Sequence, residues 1–307
     1  MAMRARSWHR TNTFSHREFP LERLVAERSA TVSVCLPARN EARTIGAILE
    51  QLLPLRDAGV VDQLIVVDNS TDGTAELARR LGAEVCDQEG LAPEHGPVLG
   101  KGDAMWRALP VLTGEIVCFL DADSEDFGSH FARGLIGPLL CSPEIAFVKG
   151  FYKRPFRVGD VTLPDEGGRV TELTARPLLN LFYPPLAAVA QPLAGEIAAR
   201  RELLEQLPFV TGYGVDIALL LDAYAAVGLD ALAQVDLDIR QNDHQSLRDL
   251  GQMAFAVLAA VASRLEREGR LRGPLPSTFL TPGDDDLHSH ATAAVERPPL
   301  AMLRAAA

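Results

Sequence analysis

Two carboxylates separated by one residue end a continuous apolar run, Glu115-Ile-Val-Cys-Phe-Leu120-Asp121-Ala122-Asp123. Uninterrupted Ile, Val and Phe suit a strand covered on both faces of a sheet, and the acids fall where that strand emerges. Open α/β sheets bind ligands at that edge. Two nearby carboxylates repel each other unless a cation sits beside them, and hard oxygen ligands with phosphates favour Mg²⁺ or Mn²⁺. The pair points to a metal–diphosphate site, although a turn capping the next helix would use the same residues.

Residues of similar chemistry recur at matching places. Pro37-Ala-Arg39-Asn-Glu41 follows an expected strand over 31–37, Asp68-Asn-Ser70-Thr-Asp72 follows a second over 63–67, and Gly100-Lys101-Gly102-Asp103 opens a helix expected over 101–109. Carboxylates in the early loops can accept hydrogen bonds from a base or ribose. Lys101 can meet a phosphate as a point charge, and Gly100 and Gly102 permit close backbone approach. Each also has a plain structural alternative: Asp72 and Asp103 as helix caps, Glu41 as a complement to a helix dipole, Lys101 as a solvated side chain. Their convergence on one sheet edge favours a nucleotide-sugar cradle.

The elements that must carry these loops alternate in type. Helical spacing over 44–53 and 75–81, with a short strand over 83–86, makes a βαβαβ pattern and predicts a doubly wound parallel sheet. Further on, the pattern gives a strand over 146–153, a loop over 164–168 and mixed helix and breaker signals over 170–182. A strand-to-helix segment follows over 196–207, then a helix over 214–227, edge-strand alternation over 234–240 and a helix over 250–268. Residues 1–30 read as a polar, irregular arm in which Phe14, Phe19 and Leu21 can dock. Residues 271–307 read as a partly ordered tail. No internal repeat is visible.

A chain of 307 residues with 47% hydrophobic content can bury a sizeable core. With 30 Lys and Arg against 41 Asp and Glu, its formal charge of −11 excludes an overall basic field for nucleic acid. The apolar stretch 253–262 is too short to span a bilayer and reads as a core helix, so no membrane partner is expected. Arg4, Arg6, Arg10 and Arg17 have no apolar run behind them, unlike a secretory signal, and a cytoplasmic location follows by elimination. Cys35, Cys86, Cys118 and Cys141 show neither metal spacing nor a disulfide framework and read as small hydrophobes.

The motifs Pro37 to Glu41, Asp68 to Asp72, Gly100-Lys-Gly102 and Asp121-Ala-Asp123 resemble the nucleotide-binding half of GT-A glycosyltransferases. Gly167-Gly168-Arg169-Val170-Thr171, Gln191-Pro-Leu193-Ala-Gly195-Glu196 and Gly212-Tyr213-Gly214-Val-Asp216 are similar to glucosyl-3-phosphoglycerate synthases and their mannosyl-transferring relatives, over roughly residues 30–250. The resemblance implies a GT-A type, Rossmann-like, mostly parallel α/β fold. A nucleotide-sugar-binding half would span 31–150 and an acceptor-binding half 151–270. It implies a cytosolic, dimeric, Mg²⁺-dependent (or Mn²⁺-dependent) enzyme that moves a hexose from a nucleotide diphosphate sugar to 3-phosphoglycerate with retention. Carried onto this sequence, the pattern puts the nucleotide sugar at Pro37, Arg39, Glu41, Ser70, Lys101, Asp121, Ala122 and Asp123. Asp123 is then the direct metal ligand, and Asp121 serves ribose or supporting contacts. Gly168, Arg169, Val170 and Thr171 form the acceptor loop, in which backbone N–H groups and a guanidinium suit a trianion. Arg240 is a second anion contact.

The chain departs from the family pattern at three places. Leu-Ser-Gly-Glu is common where Ala194 stands, and Glu where Asp216 stands, which leaves UDP-glucose and GDP-mannose both open as donors. The family histidine ligand falls two residues after the arginine, where this chain has Asn242, with His244 two further on. Either His244 completes the metal shell, or Asn242 lines the site and His244 meets the acceptor. Of the carboxylates, only Glu196 and Asp216 could serve as nucleophiles in a double displacement. Front-face transfer is favoured, with Asp216 positioning sugar hydroxyls and the backbone around Leu193 orienting the acceptor hydroxyl. Rival readings are a nucleotidyltransferase, which would carry a Gly-rich basic loop after the first strand, a polyprenyl-phosphate transferase, a GT-A enzyme with another acceptor, and a noncatalytic sugar-nucleotide sensor.

Overall fold

A computed structural model of the chain describes residues 2–154, 156–158, 161–163, 168–240, 246–271, 278–282, 287–291 and 295–306. Asn242 and His244 lie outside these residues. Chain order begins with helix α1 (Ala2–Thr11), strand β1 (Thr13–Ser15), α2 (Leu21–Ala26), β2 (Val32–Ala38), α3 (Ile45–Asp57), β3 (Gln63–Asp68), α4 (Thr74–Arg80) and β4 (Glu84–Asp87). Then come α5 (Lys101–Ala108), β5 (Ile116–Phe119), α6 (His130–Cys141), β6 (Phe147–Lys153), the short pair β7 (Phe156–Val158) and β8 (Val161–Leu163), α7 (Arg176–Phe182), β9 (Ile197–Arg200), α8 (Arg201–Gln206) and β10 (Phe209–Val210). The remainder is α9 (Val215–Val227), β11 (Leu232–Ile239), α10 (Leu247–Arg267), β12 (Thr278–Pro282), β13 (Leu287–Ala291), β14 (Glu296–Arg297) and α11 (Leu300–Ala306).

One eight-stranded sheet, in the order β1-β11-β6-β9-β5-β2-β3-β4, takes strands from both halves of the chain. Alternate residues of each strand point to opposite faces, and both faces are apolar. Cys35, Ile65, Val117, Phe119 and Phe147 enter one core layer, while Val34, Leu36, Val66, Cys118 and Val148 enter the other. This two-sided burial explains why the strands read as continuous apolar runs rather than alternations. Helix α3 covers the second face with Ile45, Ile48, Leu49, Leu52 and Leu55, one stripe at helical spacing.

The sheet is not parallel throughout. β9 runs antiparallel to both neighbours, with Phe119 opposite Ile197 on β5 and Lys149 opposite Ile197 on β6. The reversal decides what reaches the site. The start of β9, and with it Gly195 and Glu196, lies at the carboxyl ends of the parallel strands, beside Asp121.

The N-terminal arm is regular rather than irregular. β1 pairs in parallel with β11, so β11 is not the edge of the sheet, and the indole N–H of buried Trp8 donates to the Leu232 carbonyl at 2.8 Å. Phe19 packs on α6 where Gly137 leaves space, since a Cβ there would run into its ring. β11 shifts register between Asp236 and Ile239, and Asp238 takes a φ of 68°. His16 and Arg17 from the arm hold the Asp238 carboxylate at 2.8 and 3.0 Å. Such a bulge re-aims the next side chains, here Arg240.

The described part of the tail is anchored more firmly than its composition predicts. β14 pairs with β10, the guanidinium of Arg297 donates to both oxygens of buried Asp103 at 2.7 and 3.0 Å, and the Trp106 indole donates to the Pro298 carbonyl. Asp103 therefore belongs to a buried ion pair in the first turn of α5. Burial raises its carboxyl, but Arg297, the Leu99 N–H and Arg107 outweigh that effect and hold it below the ordinary range. Arg297→Ala would leave a buried carboxylate with Arg107 alone, and should cost about 3 kcal/mol in denaturant unfolding. Arg304→Ala removes an exposed pair with Glu205 and should change stability by less than about 1 kcal/mol. Equal losses for the two variants would contradict this assignment.

Candidate active site

The carboxyl edge of the sheet opens into a cleft of about 630 Å³ lined by Pro37, Ala38, Arg39, Glu41, Asn69, Gln88, Gly100, Lys101, Asp121, Ala122, Asp123, Leu193, Gly195, Tyr213, Asp216 and Arg240, among others. Most of the residues expected for the nucleotide sugar thus meet in one cavity. Ser70 stands behind it, donating to Asp68 at 2.6 Å and accepting from the Asn40 N–H at 2.7 Å. Asp72 accepts from Thr74 and from the Ala42 N–H, cross-bracing the first two loops.

Lys101 enters at the start of α5. Its backbone neighbours are fixed by β10: the Gly102 N–H donates to the Thr211 carbonyl at 3.0 Å, and a Cβ on Gly102 would strike the Val210 carbonyl. Gly102 therefore serves close packing of the chain on itself. The Lys101 ammonium donates to Asp121 Oδ1 at 2.5 Å and lies 3.8 Å from Asp216 Oδ1. Burial alone would lower its pKa, but Asp121 and Asp216 outweigh burial and hold it above the ordinary lysine value. The same contacts, with Arg240, hold Asp121 below the usual carboxylate range against its burial.

Arg240 organises the other wall. Its Nη1 donates to Asp121 Oδ2 at 3.0 Å, to the Tyr152 hydroxyl at 2.9 Å and to Glu196, and its Nη2 donates to Asp123 Oδ1 at 2.6 Å. Its side chain is 1% exposed. The residue expected as a direct anion contact is thus engaged by three carboxylates. Glu196 has both oxygens taken, by Arg240 and by the Tyr152 hydroxyl at 2.8 Å. Burial raises the Glu196 carboxyl against the opposing pull of Arg240. Burial likewise raises Asp216, a residue of the cleft lining whose buried Oδ1 has no hydrogen-bond partner.

A second cavity of about 360 Å³ is lined by Phe151, Tyr152, Arg154, Gly168, Thr171, Glu172, Arg176, Gln191 and Ala194, among others. Gly168 has a φ of 77°, and Thr171 begins a π-helical turn that runs to Ala175 before α7. Such turns recur at functional sites. Of the expected acceptor loop, Gly168 and Thr171 face this cavity, Val170 is buried in the core, and Arg169 is half-buried and lines neither cavity.

Gln88, which lines the cleft, and Lys149, buried beside it rather than in the lining, carry little signal in the sequence. Gln88 is held by the Val67 and Ala38 carbonyls at 2.8 and 3.3 Å. Lys149, buried in β6, donates to the Ala194 carbonyl at 2.7 Å, and burial pushes its ammonium down to about 8. A lysine inside an apolar strand pattern was the one visible hint for that residue.

The sequence model of Glycosyl transferase family 2 matches residues 33–140. The glucosyl-3-phosphoglycerate synthase of Mycobacterium tuberculosis is 43% identical over 97% of this chain and 92% of its own length. That of Petrotoga mobilis is 42% identical over 87% of this chain and 82% of its own. The crystal structure of mannosyl-3-phosphoglycerate synthase from Rubrobacter xylanophilus superposes with a TM-score of 0.89 at 45% identity, covering 97% of this chain and 98% of that one. The structure of the M. tuberculosis glucosyl-3-phosphoglycerate synthase in complex with Mn²⁺, UDP-glucose and phosphoglyceric acid gives 0.84 at 42% identity, covering 95% and 99%. With two such matches spanning nearly the whole fold, the chain belongs to the glucosyl-/mannosyl-3-phosphoglycerate synthase family of GT-A glycosyltransferases.

Proposed function

We propose that this protein transfers a hexose from UDP-glucose, GDP-mannose or both to 3-phosphoglycerate, with retention at the anomeric carbon. The observation that carries the reading is the pair of adjoining cavities, one lined by Lys101, Asp121 and Asp123 and the other by Gly168 and Thr171, in a family with a solved member that holds UDP-glucose and phosphoglyceric acid together.

The donor chemistry of the cleft suits a divalent cation. Asp123 keeps its side chain half exposed at the cleft, and burial together with the nearby charge of Asp123 raises the Glu41 carboxyl. Glu41 and Asp123 thus repel each other at that edge, a strain that a cation beside them would relieve. Mg²⁺ and Mn²⁺ are commonly held by one or two carboxylates together with substrate phosphates. Asp123 would be the ligand from this wall, and a bound Mg²⁺ or Mn²⁺ supplies neutralisation of the diphosphate leaving group.

Lys101 adds fixed positive charge where the diphosphate charge grows. Gly195 is what allows it to stand there, because a Cβ at that position would meet both the Lys101 ammonium and the Asp121 carboxylate. With both oxygens bonded and the residue 1% exposed, Glu196 is withdrawn from nucleophilic attack and serves to position Arg240. Asp216 lines the cleft as a carboxylate that can accept from a sugar hydroxyl. This arrangement favours front-face transfer, with the departing phosphate taking the acceptor proton and the backbone at Leu193 orienting the hydroxyl. The family resemblance supports a homodimer, and the widely spaced cysteines, all free thiols, support a reducing, cytoplasmic setting. No helix among the described residues is long and apolar enough to cross a membrane.

Incubation with Mn²⁺, 3-phosphoglycerate and each donor should release UDP, GDP or both, and release of neither sinks the reading. Asp123→Ala should abolish transfer with an unchanged melting temperature, and retained turnover would remove it as a metal ligand. Gly195→Ala should lower kcat/KM for the donor by at least roughly tenfold through displaced Lys101, a loss that wild-type kinetics would contradict.

A further inference from the structure

Arg154, just beyond β6, lines both cavities and so stands in the wall between them. Its Nη2 donates to the Tyr152 hydroxyl at 2.7 Å, its guanidinium carbon lies 5.0 Å from the Tyr152 ring centroid, and its Nε is buried without a partner. Among the described residues no carboxylate pairs with it. The neighbouring cations are different: Lys101 has Asp121, Arg176 has Glu172, and Arg240 has three acids. A guanidinium cannot shed its proton; the charges of Glu196 and Asp216 act on this one from beyond ion-pair distance, so its own hydrogen-bonding fork is left without a carboxylate. The fork, with its unpartnered Nε, is therefore open to a carboxylate from a ligand.

The chemistry of the acceptor says which anion belongs there. In 3-phosphoglycerate the reacting hydroxyl and the carboxylate share one carbon, while the phosphate sits on the next. The hydroxyl must reach the boundary between the cavities to meet the anomeric carbon, so the carboxylate is held at the boundary too, with the phosphate deeper, toward Gly168 and Thr171. We propose that Arg154 is the carboxylate clamp of the acceptor, a specificity residue that selects a phosphorylated 2-hydroxy acid over an analogue without the carboxylate. The inference rests on the function proposed above.

Glycerol 3-phosphate tests it, because it keeps the phosphate and the secondary hydroxyl but has CH₂OH in place of the carboxylate. The full-length protein with Mn²⁺ and its donor is assayed for three constants: the Michaelis constant of the acceptor, the inhibition constant of glycerol 3-phosphate against it, and the dissociation constant of the nucleoside diphosphate. Arg154→Gln should raise the acceptor's Michaelis constant by about 10- to 100-fold and leave the other two within about twofold. Arg154→Lys keeps the charge without the fork, and should fall between parent and Arg154→Gln at the parent's melting temperature. Equal losses for the two acceptor ligands would overturn the clamp, and a weakened nucleoside diphosphate would assign Arg154 to the leaving group instead. A parent enzyme that turns over neither donor removes the functional reading itself. Parent turnover with an unchanged preference in Arg154→Gln removes the clamp alone.

Discussion

A permanently charged guanidinium buried among acids holds this site together. Arg240 ties the end of β5, through Asp121 and Asp123, to the start of β9, through Glu196, and to β6, through Tyr152. Burial opposes its charge, and the surrounding Glu196, Tyr152, Asp121 and Asp123 reverse the balance. Three strands from distant parts of the sequence are fixed relative to one another by one side chain, with the phenol of Tyr152 using its donor on Glu196 and accepting from both Arg240 and Arg154. Removing the guanidinium would leave buried Glu196 with the Tyr152 hydroxyl as its remaining hydrogen-bond partner.

That dependence runs outward. Arg240 is aimed by the bulge at Asp238, and Asp238 is gripped by His16 and Arg17 of the arm. Lys101 on the opposite wall is set by α5, which is pinned by β10 and by Arg297 from near the far end of the chain. The two termini, outside the motifs that carry the chemistry, brace its two sides. Buried Lys149 makes a third brace, tying the turn before β9 to the first turn of α9 through the carbonyls of Ala194 and Asp216.

Much of this is legible in the sequence, and for a definite reason. Strands buried on both faces are unbroken apolar runs, so their ends, and the polar residues just past them, announce themselves; Glu41, Asp121 and Asp123 stand out that way, while Lys101 stands out between two glycines at a helix start. Strand direction leaves no such mark. Ile197-Ala-Ala-Arg200 has the composition of either orientation, so the antiparallel β9 is invisible there, and Glu196 reads as a candidate nucleophile instead of a buried partner of Arg240. The arm reads as irregular because its helix and three-residue strand draw their stability from docking, as Trp8 does on β11, rather than from local propensity. Arg154 carries no signal, since an arginine beside a lysine after a strand is ordinary until two cavities are seen to share it.

The parallel pairing of β1 with β11 also bears on how the chain reaches this fold. Trp8 and its partner Leu232 are 224 residues apart, and β9 enters the sheet between strands made long before it. A ribosome releases the chain from its N-terminus, so the arm must wait while nearly everything it will touch is still being synthesised. The β2–β5 region, whose neighbours are close in sequence, can assemble early. The strands that complete the catalytic edge close last, at the loop-closure cost of long-range pairing. In the order of synthesis, the nucleotide wall comes first, and the residue that locks it, Arg240, arrives 119 residues after Asp121.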